Sequence, residues 1–402
     1  MRKALLITVG TGVGNKRDAL ESLSDGIAYC LKQHNPTKTV FIVTEESERD
    51  TLPLIIEKTR LNTEEYEIKR LKSMDDIELI YEDCVRFIKE LLNTGFDEKD
   101  IVVDYTSGTK AMSVGLGIAA ATMDIENFSY ISGKRVDGKV VKGTERIMPI
   151  RAYKILADNK LKIVRNLFNK YQFDACFDIL QDLKKKFGEP EFQEILKEYE
   201  NVCYAFSKWD RFDHKEAKKR LTKIQKLDIN LASNNEFLNE FVSSQEYFIA
   251  DLLANAERRG EEGKYDDAVA RLYRTMELIA QYRLYQKYGI NTSDVDLQKI
   301  PASSKEWLLE SKNSEGKIQI GLQKDYRLLK DFDDELGIRF SEDEELKSLL
   351  GTRNSSILAH GRTPVTKKHY KKLFEKVIGF AQIVVPNVLE NKEKAKFAKF
   401  KT

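Results

Sequence analysis

The sequence predicts an α/β domain followed by an all-α region, and three observations carry that prediction. Short apolar, β-branched runs alternate with helical segments over the first 150 residues. Strand runs then almost vanish, and long segments of helical spacing take over. Two clusters of glycine and hydroxyl residues, "VGTGVGNK" (9–16) and "TSGTK" (106–110), each follow a strand-like run. Apolar strands alternating with helices indicate a parallel sheet covered on both faces.

Taken in order, "KALLITVG" is an apolar run ending in glycine and reads as the first strand. Residues 16–33 have helical spacing, "TVFIVT" (39–44) is the second strand, and residues 47–60 form the next helix. "YEIKRL" (66–71) is a weaker strand; "DDIELIYEDCVRFIKELLN" (75–93) has strong helical periodicity. Then come the strand "DIVVDYT", a small-residue helix over 109–123 and the strand "FSYISG". "KRVDGKVV" places an Asp-Gly pair, Asp137-Gly138, between strand-like flanks, a hairpin signal. Beyond residue 150, segments such as "PEFQEILKEYENVCYAFSKW" and "KYDDAVARLYRTMELIAQYRLYQKYG" are helical, and a final helix follows Pro364. The division expected is an α/β domain at 1–150, a helical linker at 151–245, a helical domain at 246–392 and a frayed tail at 393–402.

The 402 residues exceed one ordinary core. Lys+Arg 67 against Asp+Glu 65 gives a net charge of +2, which excludes a strongly basic nucleic-acid coat and makes any RNA or nucleotide site a local patch. The scattered cysteines, Cys30, Cys84, Cys176 and Cys203, have no metal spacing and read as free buried thiols. No apolar run approaches a membrane span and the first apolar run is too short for a signal peptide, so a cytoplasmic location is expected.

Both glycine clusters fall at the carboxyl ends of strands, where open parallel sheets bind ligands. Thr106, Ser107 and Thr109 offer hydroxyls, Gly108 gives access, and Lys110 adds charge at a helix N-terminus suited to an anion. The chemistry suits phosphate or ribose. Neither cluster has the full dinucleotide or P-loop spacing, although Glu45 and Glu46 follow the second strand where a ribose acid sits in dinucleotide folds. The bland alternative is a pair of capped strand-to-helix turns.

A second constellation lies near the end, in "GTRNSSILAHGR". Arg353 and His360, seven residues apart, fall roughly 20° apart on one helical face and about 10 Å apart along its axis. Arginine offers a forked cation to phosphate and histidine exchanges a proton near neutral pH, the two abilities that RNA cleavage without a metal needs. Asn354 is placed to orient the histidine or bond the phosphate. The bland reading makes His360 a helix-end residue with Gly361 as its cap. His34, His214 and His369 read as solvated side chains.

In this order the two constellations resemble a known family. "GTGVG" with "DYTSGTKAM" is similar to the CRISPR-associated Rossmann-fold (CARF) domain, and "RNSSILAH" resembles the Arg-x(4–6)-His motif of HEPN ribonucleases. The pair looks like an accessory ribonuclease of type III CRISPR systems. The resemblance implies a Rossmann-like parallel-sheet domain, a helical linker and a HEPN helical bundle, working as a homodimer. It implies that Gly10, Thr11, Gly12 and Thr106–Lys110 bind a cyclic oligoadenylate activator and that Arg353, Asn354 and His360 cut single-stranded RNA, with Glu277 supporting the cleft and no metal cofactor. It leaves two alternatives: a non-catalytic sensor that signals to a partner protein, and a ring nuclease in which Thr106 and Ser107 help to hydrolyse the activator.

Overall fold

β1 Ala4–Val9, "ALLITV", is buried along its whole length, as a strand in the middle of a two-faced sheet must be. The structure, a computed structural model, describes residues 2–12, 16–136, 139–151, 153–241, 245–355 and 362–401. It divides into two compact units, residues 1–161 and 162–402. The expected helical linker and helical domain thus form one unit.

In the first unit the chain runs β1, α1 Lys16–His34, β2 Lys38–Val43, α2 Glu45–Asp50, α3 Leu52–Thr59, β3 Tyr66–Arg70, α4 Ile77–Asn93, β4 Ile101–Asp104, α5 Lys110–Thr122 and β5 Asn127–Ser132. A small antiparallel pair, β6 Arg135–Val136 with β7 Lys139–Val140, precedes β8 Arg146–Arg151. The hairpin turn expected at Asp137-Gly138 lies outside the described residues. The sheet order is β3-β2-β1-β4-β5-β8, parallel except for the antiparallel β8. Alternation along β1 serves two cores. Ala4 and Leu6 pack with Ile80, Phe87 and Leu116 of α4 and α5. Leu5, Ile7 and Val9 pack with Ile27, Leu31 and Ile55 of α1 and α3. Gly115 permits the α4–α5 approach, since a Cβ there would lie 2.5 Å from Ile80 Cγ2.

Two expectations for this unit are corrected. The single helix expected over 47–60 is two, because Pro53 restarts the chain as a first-turn residue of α3 and Thr51 turns aside between them. β8 went unread because Pro149 interrupts "RIMPIR"; as the outer strand of the sheet it tolerates a missing N–H.

α6 Tyr153–Asn169 carries the division between the units. The second unit continues with α7 Phe173–Lys186, α8 Pro190–Asp210, α9 His214–Leu221, α10 Ala232–Glu240, α11 Glu246–Glu261, α12 Tyr265–Tyr288, α13 Lys305–Leu309, α14 Leu322–Asp331, α15 Glu335–Glu342, α16 Glu344–Ser355, α17 Lys367–Val384 and α18 Val388–Lys394. Among the described residues, no helix is long and apolar enough to cross a membrane. The four cysteines are free and buried.

The frayed tail is not observed. Phe397 and Phe400 are buried, with Phe397 against Phe206 and Trp209 and Phe400 against Phe168 and Tyr199. Asn169 fixes the backbone here, donating to the Phe400 carbonyl and accepting its N–H. Lys396, Lys399 and Lys401, which flank the two rings, pair with Glu393, Glu261 and Asp228 at the surface while the rings fill the core. Phe397→Ala is therefore expected to cost about 3–5 kcal/mol of stability, read from a denaturant titration. An unchanged midpoint would return the tail to the frayed state.

Candidate functional site

In an open α/β sheet the crevice forms where connections leaving neighbouring strands go opposite ways. Here that point lies between β1 and β4, because the chain leaves β1 for β2 on one side while β4 and β5 lie on the other. A cleft of about 410 Å³ occupies it. Gly10, Thr11 and Gly12 from the loop after β1, and Thr106, Ser107, Gly108 and Thr109 from the loop after β4, all line it. Glu46 at the start of α2 and Met74 also line it. Lys110 opens α5 and is exposed, but it is not among the lining residues.

The two loops are bonded to each other. A Cβ on Gly10 would lie 2.8 Å from the Gly108 nitrogen and 2.9 Å from its Cα, so backbone meets backbone. Gly108 has φ +89°, a left-handed conformation that glycine adopts without strain. The Gly10 N–H donates to Ser107 Oγ at 2.9 Å, and the Thr51 hydroxyl donates to the Gly10 carbonyl at 2.8 Å. The Thr8 hydroxyl donates to the Ser107 carbonyl. The break between α2 and α3 at Thr51 is thus what fixes the first glycine loop.

The three hydroxyls are not equally available to a ligand. Thr109 Oγ1 accepts the Met112 N–H at 3.1 Å, capping α5, and donates to the Met74 carbonyl at 2.7 Å, so both its roles are used. Thr106 Oγ1 accepts the Ile131 N–H at 2.7 Å, and Ser107 Oγ accepts from Gly10. Among the described residues neither the Thr106 nor the Ser107 hydroxyl hydrogen has an acceptor, while Thr109 shapes the helix end. The capped α5 terminus adds the partial positive charge of its first amides.

Beneath the loop after β4, buried Asp104 accepts the Thr106 N–H at 3.0 Å and the Cys30 thiol at 3.4 Å. Burial, aided by Asp104, pushes the Cys30 thiol pKa up, so it stays neutral. The three histidines read as solvated are not. His34 Nε2 lies 2.9 Å from Ser129 Oγ, and burial, with Lys3 nearby, pulls its pKa down. His214 Nε2 lies 2.7 Å from Asp251 and its ring stacks on Phe241. His369 Nε2 lies 3.0 Å from the Leu349 carbonyl. Their charged neighbours in sequence masked helix packing that only the fold brings about.

In the second unit, the half-buried Arg353 stands near the end of α16 with its guanidinium 5.0 Å from the centroid of the Tyr273 ring on α12. One turn on from Tyr273, Glu277 accepts from Arg274 at 2.8 Å. Burial first, and then Glu277, push the Tyr273 phenol pKa up, with Arg353 opposing. The Asn354 side chain and His360 lie outside the described residues, so of the three residues expected to cut RNA, Arg353 alone has a described side chain. Among the described residues no group of three or more His, Cys, Asp and Glu side chains is placed to hold a metal ion.

Comparison with known proteins bears on both units. The family model described as the Csm6 HEPN domain matches residues 238–384, which include Arg353, Asn354 and His360. The model described as the Csm6 6H domain matches residues 156–249, close to the stretch read as a helical linker. The CRISPR system endoribonuclease Csm6 of Thermus thermophilus is 24% identical over 405 residues, covering 89% of this chain and 81% of the relative. The solved structure of Enterococcus italicus Csm6 bound to cyclic hexa-2'-fluoro-hexa-dAMP superposes with a TM-score of 0.65 at 13% identity, covering 98% of this chain and 99% of that one, a likeness of fold. A HEPN domain on the helical unit defines the class, an endoribonuclease. With the 6H match beside it, the chain is an accessory ribonuclease of the type III CRISPR class, similar to Csm6.

Proposed function

We propose that this protein is a single-stranded RNA endoribonuclease switched on by a cyclic oligoadenylate, with the signal read in the first unit and RNA cut in the second. The observation that carries the reading is the cleft at the β1–β4 switch point, where two glycine loops meet backbone to backbone and the Thr106 and Ser107 hydroxyl hydrogens have no acceptor among the described residues. A cleft of about 410 Å³ suits a drug-sized ligand, one or two nucleotides, rather than a whole ring. A ring with two-fold symmetry shared by two copies of the chain satisfies both facts, which makes the working unit a homodimer. The Enterococcus italicus protein of the same fold was solved with a cyclic hexanucleotide analogue, which supports this class of activator.

Cleavage needs no external nucleophile. The ribose 2'-oxygen gives up its proton, attacks the adjacent phosphorus and expels the 5'-oxygen, which takes a proton; the products are a 2',3'-cyclic phosphate and a 5'-hydroxyl. Arg353 stabilises the charge gathered on the phosphate, His360 moves a proton, and Asn354 holds the phosphate or the imidazole. The test is cleavage of a labelled single-stranded RNA in EDTA, with cyclic tetra-adenylate, cyclic hexa-adenylate or neither. Stimulation by one of the rings, unaffected by EDTA, is expected. No stimulation by either ring would sink the gating, and loss of all cutting in EDTA would sink the metal-independent chemistry.

A further inference from the structure

Five aspartates are buried among the described residues: Asp83, Asp104, Asp251, Asp325 and Asp334. A buried carboxyl persists when donors meet its charge or when it keeps its proton. Four of the five are met by donors. Asp83 accepts the Lys72 N–H and the Arg86 guanidinium, and Asp104 accepts Thr106 and Cys30. Asp251 accepts Trp209 Nε1 and contacts His214; Asp334 accepts Arg283, Lys287 and Tyr288. Asp325 is 0% exposed, and neither carboxyl oxygen has a hydrogen-bond partner among the described residues.

Its position connects this orphan to the Arg353 face. Asp325 lies in the first turn of α14, which packs on α12. The next residue, Tyr326, donates its hydroxyl to the Met276 carbonyl at 3.0 Å, fastening α14 to the part of α12 between Tyr273 and Glu277. The groups that face Asp325 are Tyr273, Arg274 and Glu277 from α12 and Tyr326 from its own helix. From α15 and α17 the rings of Phe340 and Phe380 pack against Tyr326, with Arg339 over the Phe380 ring. Arg353 of α16 lies on Tyr273 itself.

We propose that Asp325 is a positioning residue of the ribonuclease: buried and unpartnered where α14 packs on α12, it leaves uncharged the packing that holds the α12 turn carrying Tyr273 beneath Arg353, and its ionisation disturbs that turn by setting a second negative charge beside Glu277. The proposal rests on the reading of Arg353 as a catalytic residue. Burial first, and then the Glu277 charge, push the Asp325 carboxyl up to about 7, with Arg274 opposing. The folded value lies above the unfolded one, so the stability that goes with the bound proton is complete in acid and is lost as pH rises through about 7.

The experiment measures kcat from pH 6 to 8 for the full chain and for D325N, with R353A in parallel, and melting temperatures over the same range. A group titrating near 7 loses about nine-tenths of its protonated form over those two units, so wild type is expected to fall about tenfold further than D325N. D325N is also expected to melt above wild type at pH 8, the gap narrowing as pH falls. Superimposable activity profiles would overturn the proposal even if the melts differ, since a merely structural carboxyl moves the melts alone. A folded but inactive D325N at pH 6 would also overturn it. If D325N does not fold, E277Q decides: it is expected to move the midpoint of the wild-type fall to lower pH, and an unmoved midpoint overturns the proposal. R353A cutting as well as wild type would instead sink the reading on which this one rests.

Discussion

Gly10→Ala is expected to weaken binding of a cyclic oligoadenylate by about 10- to 100-fold while leaving basal RNA cleavage intact. The added methyl would sit 2.8 Å from the Gly108 nitrogen and 2.9 Å from its Cα, and neither is the end of a side chain that can swing away. The loops after β1 and β4 must part, which strains or breaks the Gly10 N–H bond to Ser107 Oγ and the Thr51 bond to the Gly10 carbonyl. Overpacking of this kind costs about 1–3 kcal/mol, the source of the expected fold-change if the ligand needs the closed loops. Gly117→Ala is the control on α5: a Cβ there meets nothing within 4 Å, so helix propensity is expected to stabilise it by about 0.5–1 kcal/mol. Isothermal titration with cyclic hexa- and tetra-adenylate, and a melt of each variant, read both effects. Equal affinity in Gly10→Ala and wild type would move the signal site away from this cleft.

Much of this cleft was legible in the sequence because its residues act through local rules. A glycine cluster after an apolar run, and a Thr three residues before an amide it caps, are visible without the fold. What the hydroxyls are used for was not legible: Ser107 bonds a residue 97 positions away, and Thr106 bonds the backbone of a neighbouring strand. Asp325 was invisible for a related reason. In "KDYRLLKDFDD" it looks like one more charge on a solvated face, and the helices of that stretch are too short to show a sustained period. The packing of α14 on α12 and α15 removes it from water. The tail misled in the opposite direction. Its lysines advertise solvent, while Phe397 and Phe400, three residues apart, carried the burial signal. The histidines repeat the lesson, since His214 meets its carboxylate 37 residues further on.

Arg353→Ala is expected to lower the cleavage rate by about 10²–10³, the loss seen when one group that stabilises developing charge is removed. A melt of the variant, run beside the assay, separates this loss from a loss of fold. Arg353 is half-buried, and its guanidinium lies on the Tyr273 ring, an interaction worth about 0.5–1 kcal/mol at partly exposed sites. That ring contact has a functional reading of its own. A guanidinium resting on an aromatic face has its plane fixed before the phosphate arrives, so less freedom is lost when the fork engages. Arg353→Lys keeps the charge and discards the planar fork, and is expected to recover only part of the rate. His360→Ala should lose activity comparably, and its loss should not add to that of Arg353→Ala, because the two residues would act on one phosphate and groups that act as a unit are not additive. Product analysis completes the test: wild type should leave 2',3'-cyclic phosphate ends. A folded Arg353→Ala that turns over RNA at the wild-type rate would place the cutting chemistry elsewhere in the helical unit.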